Sequence, residues 1–213
     1  MAGNLTAAID QAMAICWNEG YGYNMGGMAH SYSEGVDCSG LVGRVLSDNG
    51  FNYPSYHVGT INMGPALINA GFTELQYTGS SFVPVSGDIF VMNHLDMTGG
   101  HTFFYVEDIR AYTDYNADSA NIGIVHRAKV EASSTRGHTA QGDHRKNGTG
   151  AYWEVWCHAY YQLVTGYDWT DPGDSVKVYR YPGGYQPIAN QFANLASLLL
   201  LKRKRGSRRY GFY

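Results

Sequence analysis

Asp37-Cys38-Ser39-Gly40-Leu41-Val42-Gly43-Arg44-Val45-Leu46 sets a thiol at the first turn of an apolar helix. Leu41, Val42, Val45 and Leu46 recur at helical spacing, Asp37 stands where N-cap residues stand, and Asn49-Gly50 closes the helix. A thiol attacks only as thiolate, and the free N–H groups and dipole of a helix start stabilise that anion. Cys38 is therefore a candidate nucleophile. The competing reading is a structural cysteine, because free Cys is among the most buried residue types.

On the N-terminal side, Leu5, Ile9, Ala12, Met13, Cys16 and Trp17 share one side of a second amphipathic helix over 5–18, with Cys16 expected in the core and Gly20 as its stop. A Gly- and Tyr-rich loop fills 20–35. Pro65 to Ala70 predicts a short third helix closed by Gly71. Beyond Pro84 the texture changes to short β-branched and aromatic runs: Ile89 to Met92, Thr102 to Val106, Gly123 to Ala132, Trp153 to Leu163 and Ser175 to Tyr181. Helices first and strands second predict an α+β fold. The polar stretch between Ser133 and Tyr152 is longer than an ordinary connection and suits a lid or binding loop.

At 213 residues, 44% apolar and 15% charged, the chain is long and apolar enough for one sizeable core. The expected division is a catalytic unit over 1–182 and an apolar, basic tail over 183–213. Six of the fifteen Lys and Arg lie in Lys202 to Arg209 and no acid lies beyond Asp174, so the preceding body is strongly acidic. That balance argues against nucleic acid as a partner of the body. The tail reads either as a docked helix with a solvated basic end or as an anchor for an anionic surface or a neighbouring subunit. Three cysteines are too few, and of the wrong parity, for a disulfide framework. The N-terminus does not read as a secretory signal, and the longest apolar run is far short of a membrane span.

A cysteine nucleophile needs a base within reach and a third group to orient that base. His101 follows Gly99-Gly100 at the start of a strand and is the best placed of eight histidines. Glu131 and His126 both lie on the next strand. Their odd offset puts them on opposite faces, so at most one turns toward His101.

Five segments, Tyr23-Asn24-Met25-Gly26-Gly27, Asp37-Cys38-Ser39-Gly40-Leu41-Val42, Gly87-Asp88-Ile89-Phe90, Gly100-His101-Thr102-Phe103-Phe104-Tyr105-Val106 and Lys129-Val130-Glu131-Ala132-Ser133, together resemble the NlpC-type cell-wall cysteine peptidases over roughly residues 5–135. The resemblance implies a reduced papain-like fold, with the nucleophile helix packed on an antiparallel sheet. It implies Cys38 as nucleophile, His101 as base and Glu131 as orienter, and substrate contacts from Tyr23, Asp37 and Ser39. Tyr23 would set its hydroxyl near the thiolate, and Asp37 would either fix substrate or simply cap the helix.

It also implies acyl transfer without a cofactor or metal, on the stem peptide of bacterial peptidoglycan. An N-acetylmuramoyl-L-alanine amidase runs the same chemistry and is the alternative. Without a secretory signal, such an enzyme suits a bacteriophage lysin released from the host cytoplasm or carried in the virion, where tail subunits would be partners. Two departures stand out: Glu107 to Ile122 lengthens the usual tight hairpin, and Pro54 to Thr60 lacks the arginine and glutamine often found in that loop.

Two rival classes remain. His94, Asp96, His101, His126, His138 and His144 offer zinc ligands, but their spacing matches no closed zinc pattern. The 18 tyrosines would also suit a non-catalytic virion or wall-binding protein.

Overall fold

The computed structural model describes residues 2–16, 23–28, 35–94, 99–112, 122–133, 150–155 and 175–185. Three helices precede most of the sheet: α1 (Leu5–Cys16), α2 (Cys38–Asp48) and α3 (Thr60–Asn69). The strands are β1 (Thr73–Leu75), β2 (Ile89–Asn93), β3 (Gly100–Tyr112), β4 (Ile122–Ser133), β5 (Gly150–Val155) and β6 (Ser175–Arg180), with a 3-10 turn at Gly79–Ser81. They form one antiparallel sheet in the order β1-β6-β2-β3-β4-β5. The fold is α+β.

Local chemistry sets the helix ends. Asn4 Oδ1 accepts the Ala7 amide at 3.0 Å and starts α1. Asp37 caps α2, and Gly50, with φ +83°, lets the chain turn back so that the Phe51 amide reaches the Leu46 carbonyl. α3 begins at Thr60 rather than near Pro65, which lies inside it. Proline favours a first turn, hence the shorter expectation. Here buried Met63 and Leu67 carry the helix through the proline at the loss of one backbone bond. β1, three residues long, escaped notice; it exists through pairing with β6.

The two sheet faces carry different cores. Ile89, Val91, Phe104, Val106, Val130 and Ala132 join Leu5, Ile9 and Ala12 of α1, Leu41, Val42, Val45 and Leu46 of α2, and Met63 and Leu67 of α3. Phe90, Met92, Phe103, Tyr105 and Val178 form the second cluster, where the Phe90 and Phe103 rings stack at 5.0 Å. Asp88, fully buried at the start of β2, is held by Arg180 of β6 through two bonds of 2.8 Å.

Of the segment expected as an insertion, Glu107 to Tyr112 continues β3 and Ile122 opens β4, while 113–121 lie outside the described residues. One register runs from Phe104↔Val130 to Tyr112↔Ile122. Residues 107–112 are therefore strand, in one register with the pairs nearer His101. Positions 134–149, most of the long polar stretch, lie outside the described residues, as do Trp17 and Cys157, the part of the fourth predicted strand beyond Val155, and the tail from 186 onward. Among the described residues no helix is long and apolar enough to cross a membrane.

Candidate active site

Cys38 is the first residue of α2, and its thiol is free and buried. Asp37 positions it. The Asp37 carboxylate is 3% exposed and accepts from the Gly40 amide at 2.6 Å, Ser39 Oγ at 3.0 Å and the Gly26 amide at 2.7 Å. His57 Nε2 completes the set at 2.8 Å and also lies 3.0 Å from Ser39 Oγ. Two carboxylate oxygens offer about four acceptor sites, so these four donors fill them. The result ties the Tyr23–Met28 segment, the 54–59 loop and the start of α2 to one buried anion.

The helix can approach that segment so closely because residue 40 is glycine. A Cβ there would lie 1.8 Å from the Gly27 carbonyl oxygen. The same carbonyl accepts the Asp37 amide at 3.1 Å. Two backbone amides at the helix start, those of Cys38 and Ser39, meet no acceptor among the described residues.

His101 is the second residue of β3, at the strand end where the start of α2 meets the sheet. Its Nε2 donates to Glu131 Oε2 at 2.8 Å, and the Cys38 side chain stands close enough to act on the protonation of the ring. Nε2 is engaged by Glu131, which leaves Nδ1 for the sulfur. Burial of the ring works to lower its pKa, but the Glu131 charge and the bonds to Cys38 and Glu131 outweigh it, and the imidazole is pushed up to about 9. A protonated His101 at neutral pH is the partner a thiolate requires.

The register explains why Glu131 is the residue that meets the ring. Continued by one pair, it sets Glu131 across from Phe103, two residues along β3 from His101 and on the same face. His126 pairs with Asp108, five residues from Glu131 along β4. Of the two orienter candidates, Glu131 makes the contact.

Tyr23 bridges Val36 and packs partly buried against the helix-side core, with its hydroxyl donating to Met25 Sδ at 3.8 Å. Ser39, beside the nucleophile, spends its hydroxyl on Asp37. The structure thus groups Cys38, His101 and Glu131 in one chain of contacts, and Asp37, Ser39 and His57 in a second beside it.

Two participants went unnoticed in the sequence. Lys129 Nζ lies 3.0 Å from Glu131 Oε1, with both side chains almost wholly buried. Spacing i, i+2 in a strand puts both on one face, so the pair was legible in principle. His57 carried no such signal, since its loop has no periodicity. No three His, Cys, Asp or Glu side chains among the described residues are grouped as metal ligands would be, and His138 and His144 lie outside them.

No protein-family model matches the chain, and no curated protein sequence matches it.

Proposed function

We propose that the chain is a papain-like cysteine hydrolase of the NlpC type that cleaves an amide bond in the stem peptide of bacterial peptidoglycan. The observation that carries this reading is the continuous contact from Cys38, at a helix start, through His101 to buried Glu131. A structural cysteine needs neither a protonated imidazole beside it nor a carboxylate behind that imidazole. The substrate class rests on the five sequence segments in their order, and the basic run Lys202 to Arg209 suits an anionic wall surface.

In the mechanism, the Cys38 thiolate attacks the amide carbonyl carbon, and the carbonyl electrons move onto oxygen. Backbone N–H groups at the start of α2 would be the donors to that oxyanion. Collapse breaks the C–N bond, and the imidazolium gives its Nδ1 proton to the departing amine. His101, now neutral, takes a proton from water as the oxygen attacks the thioester. The C–S bond breaks, the acid product leaves, and the thiolate–imidazolium pair is restored. Glu131 stays ionised throughout and holds the ring.

The test is digestion of purified cell walls by the wild type and by Cys38→Ala, followed by mass spectrometry of the released fragments. Amide cleavage within the stem peptide by the wild type alone, unchanged by a metal chelator, is expected. Full activity of Cys38→Ala would refute the thiol mechanism. A new N-acetylmuramic acid end would assign the amidase bond.

A further inference from the structure

We propose that Lys129 is a positioning residue of this site, its buried ammonium holding the Glu131 carboxylate ionised and turned so that Oε2 faces His101. The inference deepens the hydrolase reading and rests on it for its catalytic consequence.

Lys129 Nζ holds Oε1 at 3.0 Å while His101 Nε2 holds Oε2 at 2.8 Å, and a donor on each oxygen fixes the carboxylate plane. The Lys129 and Glu131 side chains are 2% and 1% exposed. Lysine is almost never buried so fully unless paired. The Nζ also lies 5.7 Å from the Phe103 ring centroid, on the face that carries His101.

The need for a cation follows from the surroundings. A carboxyl group as buried as Glu131 favours its neutral form. A neutral Glu131 could no longer hold an imidazolium. Lys129 sets a positive charge beside the Glu131 carboxylate, which offsets that cost. The neighbouring titratable groups are Tyr105 of β3, paired across from Lys129 and donating to Glu107; Tyr152 and Glu154 of β5, the register partners of Glu131 and Lys129; and, around α2, Cys38, Asp37 and His57. Lys129 is the cation seen at Glu131 Oε1.

Removing a buried positive charge makes the remaining groups hold protons more tightly. In Lys129→Met the His101–Glu131 pair should therefore release its last proton at a pH about one unit or more above the wild type, read from the His101 ring resonance by NMR. Lys129→Arg should restore the wild-type midpoint. The rate readout is alkylation of Cys38 by iodoacetamide near neutral pH, followed on its own peptide by mass spectrometry, which needs no knowledge of substrate. Lys129→Met should slow it about tenfold.

Because Lys129 acts through Glu131, Lys129→Met/Glu131→Gln should react within about threefold of Glu131→Gln alone. An unmoved His101 midpoint in Lys129→Met, or a double variant about tenfold slower than Glu131→Gln, overturns the proposal. If Lys129→Met does not fold, the double variant, which removes both members of the pair, still decides. A wild type that alkylates as expected but cleaves no wall polymer would sink the hydrolase reading and leave the Lys129 assignment standing.

Discussion

Replacing Asp37 by alanine should loosen the packing around the start of α2, and the cost can be worked from its four bonds. The cap to Gly40 alone is worth ~1 kcal/mol. The part-buried Gly26 amide and the His57 ring nitrogen would each also lose an acceptor, at ~1–3 kcal/mol apiece where water cannot replace it. Since Gly26 and His57 are both part-exposed, water can serve them in part, and the total comes to ~2–4 kcal/mol, a large share of the stability of an ordinary domain.

Asp37→Asn keeps one oxygen for Gly40 and Ser39 but turns an amide NH2 toward the Gly26 N–H, so about half that loss is expected. Urea unfolding followed by tryptophan fluorescence measures both. If Asp37→Ala costs less than ~1 kcal/mol while KM rises sharply, the carboxylate serves substrate rather than the fold, and the four-donor account is wrong.

Three further outcomes are expected. His101 is raised from 6.5 to about 9, so the stability it contributes is whole below pH 6.5 and is lost as pH rises through 9. The loss is of order 3 kcal/mol, and Glu131→Gln should flatten that slope in urea titrations across the window. Arg180→Met strands the buried Asp88 carboxylate and should cost ~3 kcal/mol by thermal or urea unfolding. Gly40→Ala drives a methyl into the Gly27 carbonyl and should cost ~2–3 kcal/mol while slowing Cys38 alkylation, because the 23–28 segment must leave the helix start.

Where a fold feature was legible in the sequence, a local rule governed it. α2 could be read residue by residue because its cap, apolar spacing and terminal Asn49-Gly50 are all contained within it. β2 and β6 could be read from runs that a two-sided core fills on both faces. α3 and β1 could not, since packing against the sheet carries one past its proline and strand pairing alone defines the other. The site divides the same way. Cys38 and His101 sit at element starts marked by their neighbours, whereas His57 joins Asp37 only because a loop without pattern folds over the helix start.

The hairpin β3–β4 shows why the longer connection leaves the site intact. An odd change of register between the strands would turn Glu131 away from His101, whereas residues added in matched pairs leave every contact near the strand ends in place. The chain has the second arrangement, with Tyr112↔Ile122 in the same register as Phe104↔Val130. The orienting carboxylate is thus fixed by strand pairing rather than by the connection, and length added beyond Val106 costs the site nothing. Shortening the hairpin symmetrically should then preserve Cys38 alkylation, while deleting one residue from β4 between Ala128 and Glu131 should abolish it by turning Glu131 to the helix-side face.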